Sequence, residues 1–173
     1  MRDLAVSVGL TGPPKLDDPE AVDDHAACAP ARKAPCPRLP GARGSSVRVL
    51  IVDDAAVFRQ VAGELLERRG YVVAGQAGCA AEAIACAERM LPDAVLLDVS
   101  LPDGNGFAVA ARLTRRHPRL AVLLTSARFE TRFYALAERS GARGFVPKAQ
   151  LATVELERFW PELAMAEPAR IAG

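Results

Sequence analysis

From Val47 onward, short β-branched apolar runs alternate with longer amphipathic stretches. The alternation predicts strands at 48–52, 71–76, 94–98, 121–125 and 144–147. Between them, apolar residues recur at helical spacing: Val57, Val61 and Leu65; Ile84, Ala87 and Leu91; Phe107, Ala110 and Ala111; Phe133, Leu136 and Ala137. Leu156, Phe159, Trp160 and Leu163 predict a closing helix, in which Pro161 marks a kink or an early stop. Five βα units within about 115 residues require one parallel sheet covered by helices on both faces. Right-handed crossovers that reverse after the second strand make this an α/β, flavodoxin-like fold with strand order 2-1-3-4-5.

Residues 1–46 break the pattern. They hold seven of the thirteen prolines and six residues of each charge, with no apolar period. Such a stretch buries too little surface to offset its ordering entropy, so it is read as a disordered tail. A translation start at Val47, a GTG-type codon, is an alternative reading of the same boundary. The expected organisation is tail 1–46, folded domain 47–160 and a short C-terminal tail 161–173.

Composition narrows the function classes. A net charge of +1, from 22 basic and 21 acidic residues, gives no electrostatic case for a nucleic-acid partner. The longest apolar runs are far too short to cross a membrane, and no leader pattern opens the chain. Four cysteines without a CxxC pair read as reduced thiols of a cytoplasmic protein.

The chemistry sits at the strand ends. In the expected order the first and third strands are neighbours, so Asp53, Asp54 and Asp98 converge. Three carboxylates this close repel unless a cation sits among them, and a hard divalent ion such as Mg²⁺ fits an all-oxygen set. One Asp would suffice to cap the following helix; the pair plus Asp98 asks for more. Thr125 and Ser126 end the fourth strand and Lys148 follows the fifth. A hydroxyl and an ammonium suit a phosphoryl group between them. Lys148 is one of three lysines among 19 arginines, and the other two lie in the tail. With the acidic pair holding metal, Asp98 is left as the nucleophile toward phosphorus.

These residues resemble the receiver domains of two-component response regulators. The likeness rests on Asp53-Asp54 after VLIV, on DVSLPDGNGF from Asp98 to Phe107, on the TSA after the fourth strand, and on GARGFVPK ending at Lys148. It implies that Asp98 is phosphorylated by a histidine kinase or phosphotransfer protein. It further implies that Asp54 binds Mg²⁺ directly with Asp53 assisting, and that the Ser100 carbonyl is a further ligand. Pro102 and Gly106 would shape the loop after Asp98. A gapless count of 22 residues back from Lys148 places the switch hydroxyl on Ser126, and Phe145 takes the position of the rotating aromatic. The responsive surface would be the fourth helix, fifth strand and closing helix, with Phe129, Arg132, Phe133 and Trp160. An unknown downstream protein would bind there, and a homodimer would use the same face.

GFVPKAQL is similar to receivers that precede LuxR-type DNA-binding helices. Only 13 residues follow Trp160, too few for such a module, so direct DNA binding is not expected. Three alternatives stand beside a phosphorylated receiver. One is a phosphorylation-independent interaction module, another a truncated relative of a DNA-binding regulator. The third, a Mg²⁺-dependent phosphatase, is disfavoured because Asp98-Val99-Ser100 lacks the second acid of an Asp-x-Asp pair.

Overall fold

A strand that is apolar on both faces must lie inside a sheet covered on both sides, and the chain has three such strands. In the computed structural model, which describes residues 47–160, β1 (Arg48–Val52), β3 (Ala94–Asp98) and β6 (Ala121–Ser126) fill the middle of a parallel sheet. The less buried β2 (Val72–Ala77) and β7 (Gly144–Pro147) take the edges. The order β2-β1-β3-β6-β7 is the expected 2-1-3-4-5 arrangement, counted over the strands of this sheet. Two further short strands, β4 (Ser100–Leu101) and β5 (Gly104–Asn105), form a small antiparallel hairpin directly after Asp98; the apolar pattern did not foretell it.

Alternation along each strand sends its side chains to two separate cores. Leu50, Val52, Leu97 and Leu124 pack with α2 (Ala80–Met90), α3 (Gly106–Arg116) and α4 (Arg132–Arg139). Val49, Ile51, Leu96 and Leu123 pack with α1 (Ala56–Arg68) and the C-terminal segment.

Two expectations need correction. On α1, Val57 and Val61 are 75% and 54% exposed, and the buried stripe is Phe58, Ala62, Leu65 and Leu66. One residue turns a helix by about 100°. The stripe with small Ala62 and Gly63 at its centre lets the helix lie closer to the sheet: a Cβ on Gly63 would already be in van der Waals contact with Ile51 and Val73 at 3.8 Å. The second concerns the closing helix. Leu156–Arg158 forms a single 3₁₀ turn, preceded by another at Lys148–Gln150, while Leu163 and the two tails lie outside the described residues. The turn ends at Arg158, with Phe159 as its C-cap. Leu156 and Trp160 are nonetheless fully buried, Trp160 meeting Tyr71 edge-on at 5.3 Å. Arg69 holds the segment down by donating to the carbonyls of Val154 (2.7 Å) and Ala152.

Candidate functional site

Val52 pairs with Leu97, so the next residues, Asp53 and Asp98, leave the sheet side by side at its carboxyl edge. Asp53 is pinned by its own backbone: its N–H donates to the Ala77 carbonyl at 3.0 Å, and its Oδ1 accepts from the Ala55 N–H at 3.0 Å. Arg59 reaches back from α1 to the carbonyls of Asp53 (2.5 Å) and Asp54 (3.2 Å). Asp53 and Asp98 are buried and Asp54 is exposed, yet one oxygen from each lies within 4.8 Å of the others.

Lys148, the first residue after β7, closes the cluster. Its Nζ is 2.5 Å from Asp53 Oδ2, 3.4 Å from Asp98 Oδ2 and 4.4 Å from the centre of the Phe58 ring. A single ammonium faces three carboxylates. Burial pushes Asp98 up to about 6, Asp53 adds to the rise, and Lys148 and the Ser100 N–H oppose it. Asp98 Oδ1 is buried with no hydrogen-bond partner among the described residues. An unpartnered carboxylate oxygen beside two more acids is what a hard divalent cation would satisfy, so the residues present fit Mg²⁺.

The loop after Asp98 depends on one glycine. A Cβ on Gly106 would lie 2.1 Å from the Asp98 carbonyl oxygen and 2.8 Å from Val99 Cα, while the Gly106 N–H donates to Val99 O at 2.8 Å. Asn105 caps α3 by accepting from the Phe107 N–H at 2.9 Å. Asp103 reaches across to α2 and accepts from the Ala80 (2.6 Å) and Ala81 (2.9 Å) N–H groups. Sequence reasoning passed over Asp103 and Arg59, since neither partner is near in the chain in a way that spacing reveals.

The two hydroxyls take consecutive places at the end of β6. Thr125 is opposite Asp98 in the β3–β6 register, and its buried Oγ1 has no partner among the described residues. Ser126 is one residue further, paired with Pro147, and its Oγ accepts from the Arg128 N–H at 3.1 Å. By strand alternation Ser126 shares the face of Leu124 and Phe145, and Thr125 shares that of Asp98.

Phe145 is packed inward, edge-on to Phe133 (5.3 Å) and Tyr134 (5.6 Å). Of the residues expected on the responsive surface, Phe133 and Trp160 are buried and lie in different cores. The exposed aromatics of that region are Phe129 and Tyr134, 6.0 Å apart, beside an Arg132–Glu130 ion pair of 2.7 Å.

The family model of the response regulator receiver domain matches residues 49–157, which hold the sheet and the acidic cluster. The chain belongs to that family. This receiver is 33% identical over 101 residues to the chemotaxis protein CheY of Thermotoga maritima, covering 58% of this chain and 84% of that one. It is also similar to the crystal structure of a LuxR-family two-component response regulator from Aurantimonas sp. (TM-score 0.63, 28% identity, 69% of this chain and 86% of that chain). A third likeness is to the response regulator domain of Thermotoga maritima CheB (TM-score 0.54, 28% identity, 68% and 90%). Receivers are signalling modules, phosphorylated by histidine kinases and binding Mg²⁺ at an acidic cluster, rather than enzymes in their own right. In this receiver the corresponding cluster is Asp53, Asp54 and Asp98. No helix among the described residues is long and apolar enough to cross a membrane.

Proposed function

We propose that this receiver accepts a phosphoryl group on Asp98 from a histidine-kinase or phosphotransfer-protein phosphohistidine and passes the signal through a protein-binding surface. The observation that carries the reading is Asp98 itself, at the end of a fully buried central strand, with Oδ1 unpartnered and Lys148 3.4 Å from Oδ2. A carboxylate oxygen of Asp98 forms the new bond to phosphorus as the phosphorus–nitrogen bond of the donor breaks, and the imidazole leaves with the electron pair. Asp54 and Asp53 would hold Mg²⁺ together with Asp98 and the Ser100 carbonyl; when bound, the ion neutralises charge on the phosphoryl oxygens. Lys148, already turned toward Asp98, supplies a fixed positive charge to the incoming phosphoryl oxygens.

Ser126 is the switch hydroxyl: it ends β6 on the face of Phe145, and although its Oγ accepts from the Arg128 N–H, its own O–H remains available to donate to a phosphoryl oxygen. Movement of the β6–α4 loop toward a phosphorylated Asp98 would disturb the Phe133–Phe145–Tyr134 packing and so reach exposed Phe129 and Tyr134. That patch is where a downstream protein or a second copy would read the change.

Incubation with a small acyl-phosphate donor and Mg²⁺, followed by intact mass, tests the reading. Wild type gains one phosphoryl group and Asp98→Asn gains none. Failure of the wild type to gain mass at saturating Mg²⁺ would shift the function to a phosphorylation-independent interaction module.

A further inference from the structure

The edge of the sheet opposite the acidic cluster carries a cleft of about 520 Å³, lined by Leu91, Pro92, Asp93, Arg116, His117 and Arg119 among others. It lies between the α2–β3 and α3–β6 connections. Three features mark it as a surface made to be covered. Leu91 takes a left-handed backbone, φ 46°, at a helix C-terminus where glycine is the usual solution, and its side chain is 64% exposed at the cleft. Arg119 is exposed, lies beyond Pro118 in a loop, and has no ion pair among the described residues, so it is not there to cap a helix. His117 Nε2 is buried without a partner among the described residues.

The charge around the cleft is mostly positive. Arg116, in the last turn of α3 where a basic side chain suits the helix C-terminus, lines it together with Arg119. Two acids offset part of it. Glu88 meets Arg116 at 3.2 Å, and Asp93 accepts from the Arg48 N–H at 2.9 Å.

That last contact also says where the chain enters. Arg48 opens β1, and its Nη1 also donates to the Leu91 carbonyl at 3.3 Å, so the segment preceding Val47 joins the domain at the rim of this cleft. Within that segment lies the densest acidic run of the protein: Asp17, Asp18, Glu20, Asp23 and Asp24, with Leu16 and Val22 among them. Twenty-two residues lie between Asp24 and Val47, and random-coil statistics for a chain of that length give a root-mean-square span of about 26 Å. Tethering at that distance corresponds to an effective concentration on the order of millimolar, enough to populate a contact that separate molecules would make only weakly.

We propose that the acidic segment 16–24 of the same chain docks in the cleft between the α2–β3 and α3–β6 connections, its carboxylates meeting Arg116 and Arg119 and its apolar residues covering Leu91. The occupant is the chain's own segment because the charge is complementary and the point of entry is adjacent; a nucleic acid would meet the same arginines but has no tether. The seat is at the far end of the sheet from Asp98, so it is independent of phosphoryl acceptance.

The test uses the intact 173-residue chain. Arg119→Lys places an amine at the cleft, and Arg132→Lys places one at the opposite edge as a control; both positions are exposed, and a thermal melt checks folding. After treatment with a zero-length carbodiimide cross-linker, the Arg119→Lys chain yields cross-linked peptides joining position 119 to residues 17–24. Their yield is about ten-fold above that from the control. A second variant set, with the five acids changed to Asn or Gln, shifts the backbone amide signals of 91–93 and 116–120 in NMR spectra and leaves the rest in place. Equal cross-linking from both positions, none from position 119, or amide shifts centred on Arg128 and Arg132 overturns the proposal. So do cross-links found only between differently isotope-labelled copies, or cleft amides that move only on adding an oligonucleotide.

Discussion

Replacing Asp98 by Asn removes the buried negative charge that three carboxylates and one lysine leave uncompensated. A carboxyl pushed from 3.8 to about 6 binds its proton more tightly in the folded state. The sign follows by linkage. Below about pH 4 the group is protonated folded and unfolded, and costs nothing; as pH rises from there to about 6 the unfolded chain ionises first and stability falls; above 6 the full cost stays. An interval of about two pH units corresponds to about 3 kcal/mol, and water at the open mouth of the site reduces what solution would show to about 1–2 kcal/mol. Urea unfolding in chelator between pH 4 and 8 measures it. Asp98→Asn is expected to match wild type near pH 4 and to exceed it by about 1–2 kcal/mol at pH 8, the difference opening between about pH 4 and 6. Saturating Mg²⁺ should narrow the gap by binding the wild-type cluster. A gap that is the same at pH 4 and pH 8, or wild type the more stable at pH 8 in chelator, would refute the electrostatic account of the site.

Other expectations concern the frame around the site. Gly106→Ala forces a Cβ against the Asp98 carbonyl and should destabilise the domain by about 2–4 kcal/mol in the same unfolding assay. Asp103→Ala strips two amides at the start of α2 of their acceptor and should cost about 1–2 kcal/mol. Burial alone would raise the Asp103 carboxyl, but the Ala81 and Ala80 N–H groups outweigh it and hold it below its ordinary value. Its contribution is therefore present at neutral pH and lost as pH falls through the carboxylate range. Ser126→Ala should slow phosphoryl acceptance by Asp98 under conditions where Thr125→Val behaves as wild type; phosphorylated fraction against time by intact mass decides between the hydroxyls.

Much of the site was legible because parallel sheets bind ligands beyond the carboxyl ends of their strands, and those ends are readable as the place where an apolar run stops. Asp53, Asp54, Asp98 and Lys148 each stand directly after such a run, so strand order alone brought them together. The hydroxyl was harder. Thr125 and Ser126 are adjacent and both follow the same run, so the run alone does not separate them; they differ in which face of β6 they take.

Local pattern determined the five sheet strands, their order, the helical stretches and the acids that crown the sheet, since each depends on neighbours within a few residues and on chirality common to all chains. Tertiary structure decided which side of α1 is inward: Phe58, Ala62 and Leu66 join the core of Ile51, and Val57 and Val61 face out. It decided that Trp160 is buried by a 3₁₀ turn and an edge contact with Tyr71 instead of by a helix. It also decided that Asp103 caps a helix 22 residues upstream of it. Those choices are contests between distant surfaces for the same buried space, and periodicity along the chain holds no record of what lies across it.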